Sequence, residues 1–377
     1  MPIDKLVYYL ALFFGGFLIT YLIMPKIIGV VTFKRLMDNP NERSSHSKTV
    51  PSLGGVAFYI CLVLGMYFLR GNDYSDVIVT LMPGLLILFV IGLKDDLVVL
   101  SPLTKLGAQI ASICFVLSHS SFHIKQLHGF LGFEQISLFL SIPLAAFLMI
   151  TIINAFNLID GIDGLASIVG IVVFSIYSIL FFMMGLYFFS GMSVLMIGSL
   201  LAFLRFNLSS SNKIFMGDTG SLLIGFIIAV MTIRFFSLDD QLLKALPIQL
   251  ENLPLLVLAI LVVPFFDTTR VFTLRIMNKK GPFSPDRNHI HHLLIDYLHL
   301  SHRKASLYIG VVNFLFIVVF FILGANFSDY MLLLLMTLLI FILVYFFYRI
   351  NFSYSNMRRK LRMKRKWDKF KDSSNIL

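Results

Sequence analysis

The polar side chains of this apolar sequence are few, and they recur in patterns that suit phosphate and cation chemistry. Asp95-Asp96 ends an apolar run in IGLKDDLVVLSPLTK. Adjacent like charges repel, so a carboxylate pair calls for a cation or a shared proton, unless it is simply a solvated loop start. Lys105, at the end of the same stretch, suits a phosphate as a point charge. In NAFNLIDGIDGLA, residues 154–166, Asn154, Asn157, Asp160 and Asp163 fall at three-residue steps. On an α-helix such steps drift by about 60° each, which spreads the side chains over a broad face. Gly161 and Gly164 would let that helix loosen. Oxygen-only ligands suit a hard cation such as Mg²⁺, and no thiolate stands nearby.

FMGDTGSL, 215–222, puts Asp218 in a Gly-flanked turn ahead of another apolar run. A carboxylate beside helix N-terminal N–H groups can hold a metal and a phosphate together. Thr219 and Ser221 there equally suit plain helix caps. PDRNHIHHLL, 285–294, gathers Arg287, His289, His291 and His292. It lacks the Cys or acidic partner of a zinc site, so phosphate binding is the better reading. RSSHSKTVPSLGG, 43–55, adds Arg43, His46 and Lys48, as a substrate-contacting loop or simply a basic one. Carboxylates, one Lys and a His/Arg cluster together are the ingredients of a Mg²⁺-assisted phosphoryl transfer with a lipid reactant, Mn²⁺ being the alternative ion.

What must position these groups is a membrane protein. The chain has 377 residues, 58% hydrophobic and 14% charged, with a mean hydropathy of +0.87; soluble domains carry about 25% charged residues. A bilayer core of about 30 Å needs roughly 20 apolar residues per helix. The runs 6–24, 53–70, 77–93, 106–118, 137–153, 165–183, 186–206, 219–236, 253–274, 305–324 and 329–349 are the candidate helices, about 11 in all. The first lacks a basic leader and a small-residue cleavage site, so it reads as a membrane helix rather than a signal peptide. The expected fold is all-α and polytopic: one transmembrane domain over 1–349 and a basic tail over 350–377.

Orientation follows from Lys and Arg. With the N-terminus outside, only Lys5, Arg70, Lys125, Arg234 and Lys244 of the 31 basic residues lie on the outer side. The connections 25–52, 94–105, 154–164, 207–218 and 275–304 and the tail are then cytoplasmic, and so are all the motifs above. The net charge of +11 sits mainly in the tail RRKLRMKRKWDKF, which suits anionic lipid rather than nucleic acid. Cys61 and Cys114 imply no disulfide or zinc framework and read as buried small hydrophobes. Asp267 beside Arg270 reads as an ion pair.

The ordered set DD…NxxNxxDGxDGL…FMGDxGS…HxHH resembles the polyprenyl-phosphate N-acetylhexosamine-1-phosphate transferase family, over roughly residues 30–305. HIHH is similar to its GlcNAc branch; the phospho-MurNAc-pentapeptide translocase branch typically carries three consecutive His there. The paired Asp of DGIDG looks bacterial. The resemblance implies transfer of a sugar-1-phosphate from a UDP-sugar, UDP-GlcNAc or a related UDP-HexNAc, to undecaprenyl phosphate with release of UMP. It implies a bacterial cytoplasmic membrane as the location, a homodimer as a possible assembly, and no nucleic-acid partner. It places Asp218 and Asn157 on Mg²⁺, Lys105 on a diphosphate and Asp163 near the uridine. Asp95 and Asp96 match an acidic pair used in catalysis, and Asp160 falls in the same catalytic group. Asn154, Arg275, Arg287, His289, His291 and His292 fall to substrate binding. One departure is NLSSSNKIFMGD, where many relatives carry Pro-Ala, which puts the shape of the loop before Asp218 in question. The reading from a different class is an ion-coupled transporter, whose acids would sit near the bilayer midplane within repeated halves.

Overall fold

The computed structural model describes residues 3–34, 37–38, 50–69, 74–277 and 290–349. The basic tail, Arg43, His46, Lys48, Arg287 and His289 lie outside them. The described chain is mostly helical; the rest is a two-residue antiparallel pair, β1 (Met37–Asp38) with β2 (Val50–Pro51), an isolated bridge between Gln126 and Gln135, and connecting turns and loops. The helices are α1 (Ile3–Lys34), α2 (Gly55–Leu69), α3 (Ser75–Leu97), α4 (Pro102–Leu117), α5 (Leu138–Ile159), α6 (Leu165–Met183), α7 (Tyr187–Asn207) and α8 (Gly217–Phe236). They continue with the short α9 (Asp240–Leu243), α10 (Leu253–Ile260), α11 (Val262–Met277), α12 (Ile290–Leu298), α13 (His302–Gly324) and α14 (Asp329–Arg349).

Eight of the described helices are long and apolar enough to cross a membrane, and nine spans result if α10 and α11 count as one. Helices α2 and α4 are apolar but shorter. The axes of α10 and α11 meet at 69°. Pro264 explains the bend: it has no N–H to give the Ile260 carbonyl, and its ring crowds that group.

α8 is the axle of the bundle. Its apolar window is 94% buried, against 17% for α1 and for α14, whose exposed Leu, Phe and Tyr suit lipid. Close approach to α8 is made by glycines. A Cβ on Gly55 of α2 would lie 2.2 Å from the Gly220 nitrogen, and one on Gly92 of α3 would lie 2.5 Å from Thr219 Cα. Small residues at such crossings let helix backbones pack directly in a bilayer. Cys61 is buried, as its type suggests, but Cys114 is exposed on the outward face of α4.

The NxxNxxDGxDG stretch departs from the expected helix. α5 ends at Ile159, Asp160 caps it at φ −75°, ψ 52°, and Gly164 at φ +82° opens α6. Asn154 and Asn157 therefore lie on a helix, whereas Asp160 and Asp163 lie in a tight turn between two helices. Gly164, left-handed at a helix start, is what permits the reversal within so few residues.

Candidate active site

One end of the bundle collects the C-termini of α3 and α5, the N-termini of α4, α6 and α8, and the N-terminal end of α13. Almost every described polar motif meets there.

The α3 terminus delivers the acidic pair, and its two members do different things. Both Asp96 oxygens face α8: Oδ1 accepts from the Asp218 N–H at 2.7 Å, and Oδ2 accepts from the Thr219 N–H at 3.1 Å and the Thr219 hydroxyl at 2.5 Å. Asp96 is thus the N-terminal cap of α8, supplied from another helix, where a carboxylate also complements the helix dipole. Gly217, at φ +72°, makes room for it; a Cβ there would sit 2.6 Å from both Asp96 oxygens. Asp95, 8% exposed, accepts from the Leu100 N–H at 2.6 Å and forms an ion pair with Lys105.

Lys105 also stands 3.3 Å from Asp218 Oδ2, so one ammonium serves two carboxylates. The other Asp218 oxygen accepts from the Asn157 amide at 2.6 Å, and that amide reaches Ser221 Oγ at 2.8 Å. Asp218, Asn157, Lys105 and Asp95 therefore form one connected group. Asp160 adjoins it; its backbone N–H donates to the Asn157 carbonyl at 3.4 Å, while its carboxylate meets mainly other carboxylates. Burial, reinforced by the carboxylates of Asp218, Asp96 and Asp163, pushes the Asp160 carboxyl up to about 8.

Asp163 is differently placed. Its Oδ2 accepts from Lys213 Nζ at 2.6 Å and lies 3.4 Å from His302 Nδ1, while its carbonyl accepts from Ser306 Oγ at 2.8 Å. Burial alone would raise its carboxyl, but the His302 ring at 3.4 Å and the Lys213 ammonium outweigh that and hold it below the ordinary carboxylate range. Asn207 joins the same seam, accepting from the Gly164 N–H at 2.6 Å and donating to the Ile214 carbonyl at 2.9 Å. The sequence motifs gave no hint of Lys213, His302 or Asn207, because each works through a partner distant in the chain.

Asn154 turns to a third partner. Its amide nitrogen donates to Gln109 Oε1 at 2.8 Å and to the Ile150 carbonyl at 2.8 Å, and its Oδ1 accepts from Gln109 Nε2 at 3.2 Å. His291 and His292 lie in the first turn of α12. Asp267 of α11, 2% exposed, accepts from the Ile290 N–H at 2.8 Å and so ties α11 to the start of that helix, a link that the adjacent Arg270 did not suggest. Arg275, in the last turn of α11, is buried with its guanidinium over the Phe272 ring.

The donor set suits a hard divalent ion. Among the described residues no three His, Cys or carboxylate groups converge on one point. The protein thus offers a carboxylate, Asp218, and an adjacent amide, Asn157. Water and reactant phosphates would complete the shell, which is the way Mg²⁺ is commonly held.

Away from these acids, an apolar cleft of about 680 Å³ lies between α5, the bent α10–α11 pair and α14. Thr151, one turn before Asn154 on α5, and Arg270 and Thr273 of α11 are among the few polar groups in its lining.

The chain is similar to known proteins over a stretch that includes these residues. The family model for glycosyl transferase family 4 matches residues 77–236, which include Asp95, Asp96, Lys105, Asn157 and Asp218. A probable undecaprenyl-phosphate N-acetylglucosaminyl 1-phosphate transferase of Bacillus subtilis is 31% identical over 79% of this chain and 80% of its own length. A decaprenyl-phosphate N-acetylglucosaminephosphotransferase of Mycolicibacterium smegmatis is 32% identical over 73% of each chain. An undecaprenyl-phosphate α-N-acetylglucosaminyl 1-phosphate transferase of Haemophilus influenzae is 31% identical over 80% of this chain and 82% of its own.

Proposed function

The chain belongs to glycosyl transferase family 4, and on that premise we propose that it transfers N-acetylglucosamine 1-phosphate from UDP-GlcNAc to undecaprenyl phosphate, releasing UMP. It is a multi-pass membrane enzyme of the phosphoglycosyltransferase type, and its product is the first lipid-linked intermediate of a cell-surface polysaccharide. The observation that carries the reading is the Lys105–Asp218–Asn157 group: a cation, a carboxylate and an amide within hydrogen-bond reach at a helix N-terminus.

Mg²⁺, when bound by Asp218 and Asn157, supplies charge neutralisation of the donor diphosphate. The chain's own residues do the rest. Lys105 sets its ammonium against the diphosphate, offsetting charge that builds in the transition state. Asp95 aims Lys105, and Asp96 holds the start of α8 so that Asp218 keeps its place. An oxygen of the lipid phosphate attacks the phosphorus bearing the sugar; the bond from that phosphorus to the UMP oxygen breaks, and UMP leaves with the electron pair. His291, His292 and Arg275 bind the donor, and the acceptor's polyprenyl chain lies in the apolar cleft beside α14. The enzyme sits in the bacterial cytoplasmic membrane with this end of the bundle facing the cytoplasm, which the distribution of Lys and Arg supports. A homodimer is its assembly, to be tested by light scattering in detergent.

The deciding experiment gives purified protein undecaprenyl phosphate and a panel of UDP-sugars, scoring UMP and lipid product with and without Mg²⁺. Mg²⁺-dependent formation of the GlcNAc lipid is the expected result. No lipid product from any UDP-sugar would overturn the reading.

A further inference from the structure

The Gln109–Asn154 pair lies among apolar helix faces, where a side-chain amide is costly unless it is matched. It is matched fully. The two amides exchange a pair of hydrogen bonds, at 2.8 and 3.2 Å, between α4 and α5. The bond from Asn154 Nδ2 to the Ile150 carbonyl fixes which way round the pair sits. Gln109 is 1% exposed and belongs to the interior of this crossing.

The two helices run in opposite directions, α4 away from the site and α5 towards it. One turn towards the site from Gln109 is Lys105, and one turn towards it from Asn154 is Asn157. The amide pair therefore lies directly behind the two residues that grip Asp218 from either side. A slip of α4 along α5 by a single residue moves Lys105 by about 1.5 Å and turns it by about 100°. That shift would break both amide bonds and carry the ammonium away from an Asp218 oxygen that it now meets at 3.3 Å. Asp95 holds the start of α4 from the α3 side, and on the α5 side paired amides specify one register more sharply than apolar contact does, much as a single buried polar residue sets register in other helix assemblies.

We infer that Gln109 and Asn154 are positioning residues for the transfer reaction: their reciprocal amide pair sets the register of α4 on α5 and so places Lys105 against the Asp218–Asn157 group. Asn154 then acts through Gln109 rather than by touching substrate. This rests on the reading of Lys105 as the cation at the donor diphosphate, and Lys105→Ala tests that reading separately.

The test is a swap. Gln109→Leu and Asn154→Leu each remove both interhelical bonds. Each should lower kcat by between about 3-fold and about 30-fold, the range interhelical side-chain hydrogen bonds span. The KM for UDP-GlcNAc should stay unchanged. The double variant Gln109→Asn with Asn154→Gln moves one methylene from α4 to α5 and keeps the amide pair. It should restore kcat to within about 3-fold of the parent. An Asn154 variant that raises the donor KM while its Gln109 counterpart does not would show direct substrate contact and overturn the inference. So would a swap variant that is inactive or unfolded. Should neither single variant fold, the swap alone decides. Lys105→Ala retaining full activity would instead refute the role of Lys105 and leave the amide register to be judged from the melting temperatures of the single and swapped variants. There, equal stability of all three would refute it as well.

Discussion

At the end of the bundle away from the active site, two carboxylates, Asp240 and Asp329, each have partners of their own. Asp240 lies 2.7 Å from His128 Nδ1 and accepts from Gln126 Nε2 at 3.0 Å, while Asp329 accepts from the Leu131 and Tyr330 N–H groups. Asn252 closes the same surface by donating to the Gly324 and Phe327 carbonyls. At the active-site end, Lys105 is divided between two carboxylates and Asp160 is left with neighbours of its own sign. The first end is a clasp, complete in itself. The second crowds carboxylates together, a crowding that a bound proton or a divalent cation would relieve, and carboxyl groups perturbed in this way are the mark of a site rather than of a scaffold.

The contrast is most sharply broken by removing one carboxylate from each end. Asp218→Ala should reduce kcat by on the order of 10²–10³-fold, the scale of losing one charge-stabilising group from a preorganised site. Asp240→Ala should leave kcat of the folded enzyme unchanged and lower its melting temperature. Both are read from UMP release and thermal unfolding of the same preparations. A catalytic loss at Asp240 matching that at Asp218 would erase the distinction. Next in size is Lys105→Ala, expected to cost about 10²-fold in kcat. Lys105→Arg should recover only part of that, since a planar guanidinium cannot serve both carboxylates in the way a compact ammonium does.

The helices were readable from the sequence because a membrane demands long apolar runs, and each of the candidate runs falls on a helix or on the bent pair. The acidic motifs were readable because charge stands out in such a background. What stayed hidden was which acid serves which purpose. Asp95 and Asp96 are neighbours in sequence, yet successive helical residues point about 100° apart, so one meets Lys105 and the other caps α8. The cap joins residues 96 and 218, and nothing local to either announces it. Gln109 was unreadable for the opposite reason: a lone amide in an apolar helix carries no motif, and only the facing Asn154 gives it meaning. The end of α5 at Ile159 was masked by strict three-residue spacing, which looks helical even where Gly161 and Gly164 have already turned the chain.

A third prediction uses Asp160 to sharpen the contrast through pH. Its carboxyl stands near 8 in the folded protein against an ordinary 3.8, so the folded state binds a proton that the unfolded chain has released. The sign follows from linkage: its contribution to stability is full below about pH 4 and is lost progressively as pH rises to about 8. Without divalent cations, the melting temperature should therefore fall over that window, and Asp160→Asn should flatten the slope. An unchanged slope in Asp160→Asn would mean that the crowding of like charges at this end is relieved by other means.

The smallest effect is expected where the active-site end most resembles the clasp, at Asp163. Its carboxylate is held by Lys213 and faces His302, and its backbone is tied to Ser306, so it behaves here as a joint between the α5–α6 turn, the loop before α8 and α13. A joint and a nucleoside contact make different demands on a double-mutant cycle. If the carboxylate serves mainly as a joint, Asp163→Asn and Lys213→Met should each destabilise the fold, and the double variant should cost little more than either alone. The coupling would then be about 1–3 kcal/mol, as expected for residues sharing one buried pair. The donor KM should move by less than about 3-fold in all three. If Asp163 instead meets the uridine, Asp163→Asn should raise the donor KM on its own, Lys213→Met should not, and the two effects should add. The turn would then be a binding element held rigid by its own ligand, and the boundary between clasp and site would pass through this one side chain.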